Sequence, residues 1–291
     1  MRTEINLSNS STLLNRKADP PFIAIRNRRA DQYIPRLQRG IQKLFNDATT
    51  EAARHAQYDD RNIYFSEMIV ALAEALYAFQ KPYVIGIINE GYALADQAFT
   101  TKNFHSGVQR KIINITPEPL SGSREGIEEW LLETSKREAA THAKEINRIH
   151  KKAQTYWDED FGRGMTPREI ASEILAKGFA YNKNYSNLIS RTTTIWSMNE
   201  GAEIKYIEAG VTRERWLTTD DDVRCVYCME MNGTEIGIKD VFLQEGGRIV
   251  HPEIPDRFLE VPFAVSHPPL HPYCRCCVVP VIESISIQMR G

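Results

Sequence analysis

All five cysteines of this 291-residue chain lie in one short segment, between Cys225 and Cys277. The segment opens with the pair Cys225 and Cys228 and closes with the run HPPLHPYCRCC from His267 onward. Two cysteines three positions apart can place both sulfur atoms on one metal ion, and histidine and cysteine from a second group can complete a tetrahedral shell. Such a tie between distant parts of the chain constrains the fold more than any other local pattern here.

The second half of the segment offers more ligands than a tetrahedral site needs. The candidate zinc ligands are Cys225, Cys228, His271, Cys274 and Cys276, with His267 competing for a place. His271 and Cys274 have the three-residue spacing of a knuckle, and Cys274 and Cys276 project to the same side of an extended segment. Cys277 then faces the other way, so we expect it to be a buried or free thiol.

Three chemical states of the cysteines compete. Structural zinc is the preferred interpretation, and reduced structural thiols come second. A disulfide comes third, because a reducing cytosol disfavours disulfides and five is an odd number of cysteines. A catalytic zinc is disfavoured, since such sites draw on histidine and carboxylate ligands and keep one position open to water.

Composition narrows the functional class. The 42% hydrophobic content supports real cores, and the net charge of -2 gives no general basic field for nonspecific binding of nucleic acid. No apolar run approaches the roughly 20 residues of a membrane helix. The N-terminus lacks the apolar core of a signal peptide, so we expect a soluble protein made in a reducing cytosol, without a membrane partner.

Helical periodicity dominates the N-terminal half. Apolar residues recur every three or four positions over 26–57, 62–80 and 84–99, which predicts three helices. Pro35 is expected near the start of the first helix, where proline is tolerated, and Lys81-Pro82 is expected to end the second.

Breaks in the pattern predict the domain organisation. Residues 1–22 are polar and are expected to form a flexible arm, and 23–122 a helical domain. Prolines and glycine at 117–122 mark a linker, after a short predicted strand at 111–115. Residues 123–291 form the second predicted domain.

A long charged helix is expected to open the second domain, from Ser123 to about Trp157. Its basic residues are Lys136, Arg137, Lys144, Arg148, Lys151 and Lys152. Acidic residues interleave with them, which is more typical of a solvated face than of a stripe that binds nucleic acid.

Two further helices are predicted. Thr166 and Glu169 have the spacing of a capping box, with Pro167 at the first helical position, and the helix is expected to end at Gly178. The next helix should cover about 185–209.

The last 80 residues have the composition of a small α+β unit. Residues 215–218 and 277–282 are expected to be strands, and Asn232-Gly233 a tight turn between strands at 229–231 and 234–238. The predicted fold class is therefore α+β, with a mostly helical N-terminal half followed by a small α+β domain pinned by the cysteine and histidine cluster.

Motifs in the second half resemble those of the phage Mu F-like minor head protein family, also called the phage head morphogenesis family. The motifs that carry the resemblance are Ile189 to Thr192, Asn199-Glu200-Gly201, Ala209-Gly210-Val211, Trp216, Asp221, Cys225, Cys228, Gly233, Phe242, Pro268-Pro269 and His271 to Cys276. They span about residues 150–282. The chain departs from the family pattern at Thr193, where an acid is usual, and at Val223-Arg224 before Cys225.

The resemblance implies a minor capsid protein of a tailed bacteriophage. Such proteins associate with the portal vertex and act in procapsid assembly, and some bind or accompany DNA. The implied partners are the portal and capsid proteins, and the implied location is the virion, with the host cytoplasm during assembly. Some relatives carry a further toxin domain, which we do not expect in the short stretch after Cys276.

No signature for catalysis stands out in the sequence, so we expect a protein that is not an enzyme. Two other functions nevertheless stay open at this point. A DNA-binding accessory would use the six basic residues of the charged helix. A metal-dependent hydrolase would use Asp221, His251 or His267 near the cluster. The aspartates at 220–222 are more simply explained as a solvated turn.

Overall fold

The computed structural model describes residues 21–58, 65–100, 124–158, 163–219 and 225–281. The expected arm up to residue 20, the linker with its strand at 111–115, Ser123 and the aspartates at 220–222 lie outside the described residues. The predicted boundaries between arm, helical domain and second domain stay a prediction.

Helices make up most of the described chain. They are α1 (Pro21–Gln57), α2 (Phe65–Thr100), α3 (Arg124–Gln154), α4 (Pro167–Glu208) and the short α5 (Val226–Met231). The strands are β1 (Trp157–Asp158), β2 (Arg163–Gly164), β3 (Arg213–Leu217), β4 (Glu235–Gly237), β5 (Arg248–Val250), β6 (Phe258–Glu260) and β7 (Cys277–Pro280). The predicted α+β class, with a helical N-terminal half and small sheets in the C-terminal part, is confirmed.

All the sheets are small and antiparallel. In the largest, β3 lies between β4 and β7, and Trp216 pairs with Val278 across the β3–β7 ladder. The closing strand predicted after Cys276 is therefore confirmed, and so is the strand around Trp216. Strands β5 and β6 form a hairpin, and β1 pairs with β2.

Two predicted helix ends are wrong. Helix α2 continues through Pro82, because buried residues on both sides of it, such as Leu76 and Val84, keep the helical spacing, and their packing outweighs a local cost of about 3 kcal/mol. Helix α4 continues through Gly178. A Cβ there would lie 2.6 Å from the Thr49 side chain, so the glycine allows close packing and does not end the helix.

The start of α1 and the first arm of the hairpin also differ from expectation. Pro35 lies inside α1, since that helix begins at Pro21. Residues 229–231 belong to α5 and not to a strand, because the helical turn buries Cys228 and Met231 together. The turn at Asn232-Gly233 exists, with Gly233 at φ 86°, but it joins α5 to β4.

The capping box at the start of α4 is confirmed. The backbone N–H of Thr166 donates to Glu169 Oε2 at 2.7 Å, and the N–H of Glu169 donates to Thr166 Oγ1 at 3.3 Å. Arg163 on β2 forms an ion pair with the same carboxylate at 2.8 Å. Two of the unpaired N–H groups at the helix start are thus satisfied.

The chain divides into two compact units. Unit 1 takes its described residues from 21–33, 85–100, 191–219 and 225–281, and unit 2 from 34–58, 65–84, 124–158 and 163–190. In unit 1, Trp216 is fully buried and meets Phe242 edge to face at 5.1 Å in a core that also includes Tyr206 and Val278. The site described below lies entirely in unit 1.

Unit 2 buries a layer of polar side chains among its helices. Gln80 donates to Glu138 at 2.7 Å, and Asn182 donates to Thr49 at 2.9 Å. His142 stacks on Phe45 at 4.6 Å between ring centroids, and burial lowers the pKa of His142 to about 4. These contacts help to fix how the helices of unit 2 align. They satisfy only part of the polar layer, since Gln80 Oε1, Asn182 Oδ1 and His142 Nδ1 have no hydrogen-bond partner among the described residues.

One described helix meets the length and composition of a membrane span. It covers Phe65–Gln97 of α2, so the expectation that no segment is long and apolar enough is wrong by that criterion. A core helix of a globular protein meets the same criterion. Leu76, Val84 and Ile88 of α2 are buried in this structure.

Candidate functional site

The first two cysteines are presented by the start of α5. Cys225 is the residue that precedes this helix, and Cys228 lies in its first turn, so the two side chains fall on the same side. Cys228 and Met231 are buried and belong to the core around Trp216. Packing of the short helix against that core therefore sets the position of the first pair.

The second group is presented by a tight turn. The N–H of Cys274 donates to the carbonyl of His271 at 3.1 Å, and Tyr273 has φ 65°, in the left-handed region. This turn brings the side chains of His271 and Cys274 back toward α5. Cys276 follows two residues later, immediately before the last strand, and is buried like Cys274.

Five donor atoms converge in two overlapping groups. Cys225, Cys228 and His271 form one group, and Cys228, Cys274 and Cys276 form the other; within each group all ligand atoms lie within 4.8 Å of one another. Cys228 Sγ is 3.0 Å from His271 Nε2 and 3.8 Å from Cys274 Sγ. Two thiolates on a tetrahedral zinc ion, with Zn–S bonds of about 2.3 Å, are separated by about 3.8 Å.

The His271 ring is oriented as a metal ligand would be. Its Nδ1 lies 2.6 Å from the carbonyl oxygen of Pro272, which can only accept, so Nδ1 carries the proton. Nε2 is then left with its lone pair toward Cys228. Donation of the second ring N–H to a backbone carbonyl is the usual way in which proteins fix the tautomer of a metal-bound histidine.

One of the three inner sulfurs, that of Cys274, already favours a negative charge. Burial raises the pKa of the Cys274 thiol, but hydrogen bonds from Cys228, Cys276 and the backbone outweigh it and bring this pKa well below its usual value. The pKa of Cys228 is raised, because its hydrogen bond to Cys274 retains the proton. A thiolate is the form that binds metal, so the cluster is prepared for a cation.

The remaining candidates lie apart from this cluster. All five cysteines are described, and none forms a disulfide. Cys277 is buried on β7 and belongs to neither group. His267 does not compete for a place in the cysteine cluster, as the sequence had allowed; it lies with Glu200 and Glu203.

Comparison with protein families gives one match. Residues 151–279 match the family model described as Phage Mu protein F like protein. Those residues belong to the phage Mu F-like family. The match confirms the resemblance found in the sequence. The family consists of structural proteins of phage head morphogenesis. No curated protein and no solved structure shows a significant match to the chain.

The phage Mu F-like segment contains a buried polar contact that the sequence did not predict. Asn199 on α4 donates to the carbonyls of Pro268 at 2.9 Å and Cys276 at 3.3 Å, and its Oδ1 accepts the N–H of Val278 at 3.3 Å. One side chain thus holds both the segment before His271 and the strand after Cys276. The motif Asn199-Glu200-Gly201 was visible in the sequence, but its partners were not.

Gly201 of the same motif has a steric role in unit 1. A Cβ at this position would lie 2.0 Å from the carbonyl oxygen of Ile88 on α2. On the other helix, a Cβ at Gly91 would lie 2.3 Å from the carbonyl oxygen of Met198. The two helices approach so closely at these glycines that any side chain would force them apart.

The structure of the described residues gives little support to a DNA-binding accessory or a metal-dependent hydrolase. On α3, Lys136 pairs with Glu133 at 2.7 Å and Arg148 with Glu145 at 2.6 Å, which reduces the positive field expected of a DNA-binding face. His251 accepts the backbone N–H of Glu253 and belongs to none of the described groups of metal ligands. Asp221 lies outside the described residues.

Proposed function

We propose that this chain is a minor capsid protein that associates with the portal vertex of a tailed phage and acts in procapsid assembly, with a further part in packaging or delivering DNA. The observation that carries the proposal is the family match over 151–279, which contains the whole cysteine and histidine cluster. Its partners are then the portal and capsid proteins. Its location is the phage head, after assembly in the host cytoplasm.

In this proposal the cluster has a structural task. Four of the donors Cys225, Cys228, His271, Cys274 and Cys276 bind one zinc ion, which ties α5 to the turn before β7. Three observations support this: the convergence of the donor atoms, the fixed tautomer of His271 and the low pKa of Cys274. A cysteine-rich shell with more donors than places leaves no position for water, which fits a protein that is not an enzyme.

Assembly with the proteins of its own phage tests the proposed function. The full chain is expressed with the portal and major capsid proteins of the same phage, and procapsids are separated by sedimentation. We expect the chain in procapsids in few copies, and its loss when the portal gene is left out. Equal retention without the portal would refute association with the portal vertex, and absence from all particles would refute a role in the head.

A charge-reversal variant separates portal association from DNA binding. Lys144, Lys151 and Lys152 are exposed on α3, and all three are changed to glutamate. Retention in procapsids should be unchanged if the portal recruits the chain. Loss of retention in this variant, together with salt-sensitive DNA binding by the native chain, would favour the DNA-binding accessory instead.

A further inference from the structure

A second histidine of unit 1 faces a carboxylate in a way that requires a positive species between them. His267 Nδ1 lies 2.8 Å from the carbonyl oxygen of Pro268, so Nδ1 carries a proton and donates it. Its Nε2 lies 3.0 Å from Glu200 Oε2. A neutral ring would place two acceptors in contact, so either a proton or a metal ion must lie between them.

Glu203 completes a group of three ligands at this place. Glu200 and Glu203 are one turn apart on α4, and their carboxylate oxygens and the His267 ring nitrogen lie within 4.8 Å of one another. The backbone next to His267 is held in place, because the Asn199 side chain donates a hydrogen bond to the carbonyl of Pro268. His267 and His271 thus share one local pattern, in which Nδ1 donates to the carbonyl of the next proline and Nε2 points at a ligand group.

A further carboxylate lies behind this group without a partner. Glu214 on β3 is fully buried, and neither of its oxygens has a hydrogen-bond donor. Residues two apart on a strand share a face, so Glu214 points to the same side as Trp216, which packs in one core with Ala202 and Tyr206 of α4. It therefore faces the helix that carries Glu203.

The charge of this region is unbalanced. When all three acids are ionised, one imidazolium leaves two negative charges unmatched in a buried place, which is costly. Arg26, a buried cation of the same unit, donates to the carbonyl of Cys276 and forms no ion pair with Glu214 among the described residues.

We propose that Glu200, Glu203 and His267, with Glu214 as a supporting carboxylate, bind a divalent metal ion of the Mn²⁺ or Zn²⁺ type. Carboxylate oxygen and imidazole nitrogen suit such ions, and replacing the His267 proton with a divalent ion reduces the unmatched negative charge from two to one. Glu200 keeps 21% of its side chain exposed, which gives the ion a way in, whereas the His267 side chain is 1% exposed. This site shares no ligand with the cysteine cluster.

Binding of Mn²⁺ to the full chain tests the proposal. Mn²⁺ is chosen because it prefers oxygen and nitrogen ligands to thiolates, and free and bound Mn²⁺ are distinguished by electron paramagnetic resonance. We expect one Mn²⁺ per chain, with release of a proton from His267. Glu203→Gln should weaken binding by at least roughly 10- to 100-fold, which is the effect of losing even an outer-shell partner. The control Glu245→Gln changes an exposed loop acid and should bind like the native chain.

The zinc content of each variant distinguishes this site from the cysteine cluster. Glu203→Gln should keep the cysteine-bound metal while it loses Mn²⁺. If Glu203→Gln fails to fold, Glu214→Gln replaces it, since an amide removes the buried charge without a change of shape. The proposal is wrong if the native chain binds no Mn²⁺ at millimolar concentration, or if both glutamine variants bind it as tightly as the native chain.

Discussion

Asn199 accepts a hydrogen bond from the backbone N–H of Val278 at 3.3 Å, although 79 residues separate them in the chain. The same side chain donates to the carbonyls of Pro268 and Cys276. All of these groups are buried, so none can turn to water if the amide is removed. The contact therefore joins α4 to both ends of the segment that carries His271 and Cys274.

Asn199→Ala should lower the free energy of unfolding by about 3 kcal/mol, because a buried polar group left without a partner costs about 1 to 3 kcal/mol. Urea denaturation measures the difference. Asn184→Ala is the matched control, since Asn184 is an exposed residue of the same helix and alanine favours helix there. Equal stability of the two variants would show that the Asn199 contacts contribute nothing net.

Gly201→Ala should destabilise the protein by at least about 2 kcal/mol, since its Cβ would overlap the carbonyl of Ile88 on α2. Gly86→Ala is a control on α2 itself. No atom lies within 4 Å of a Cβ built at Gly86, so alanine should stabilise that helix by about 1 kcal/mol. The melting temperatures of Gly201→Ala and Gly86→Ala should therefore shift in opposite directions. A shift in the same direction would contradict the close approach of the helices.

Ionisation of the buried Glu138 should lower the stability of the protein as the pH rises. Burial raises the pKa of Glu138 from about 4.5 to about 8, so the folded protein holds a proton that the unfolded chain releases within this window. The contribution of Glu138 to the free energy of unfolding is thus highest below pH 4.5 and decreases up to about pH 8. Glu138→Gln can still accept the hydrogen bond from Gln80, and it should be more stable than the native chain at pH 8 by about 2 to 4 kcal/mol.

Glu138→Gln and the native chain are compared by denaturation at pH 4.5 and pH 8. The control is Glu133→Gln, which changes an acid on the same helix that is 58% exposed and paired with Lys136. Its difference from the native chain should not depend strongly on pH. If Glu138→Gln shows the same decline with pH as the native chain, Glu138 is not the group that binds the proton.

Elemental analysis should find about one zinc ion per chain at the cysteine cluster, lost in Cys225→Ser and Cys274→Ser. Loss of the ion should also unfold the part of the chain that it ties together, because binding energy at such a site is folding energy. Cys277→Ser is the control, since Cys277 belongs to neither group of donors and should keep the metal. Absence of metal from the reduced native protein would leave the cysteines as buried thiols.

The sequence was sufficient where the signal is local. The spacing of Thr166 and Glu169 predicted the capping box, and the α+β class followed from periodicity and turn residues. The grouping of Cys225, Cys228, His271, Cys274 and Cys276 followed from spacing alone, and the structure brings their donor atoms together. The family resemblance rested on the order of motifs along the second half, which the family match confirms.

The tertiary structure decided what depends on distant neighbours. Pro82 and Gly178 read as helix ends because the local cost of each is visible in the sequence, whereas the packing that overrides it is not. Glu214 lies just before the strand predicted at 215–218, and only the pairing of β3 with β4 and β7 shows that it is buried on the face toward α4. His267 lies apart from the cysteines because its Nε2 meets Glu200 on α4. Spacing along the chain limits which side chains can meet, but packing determines which of them do.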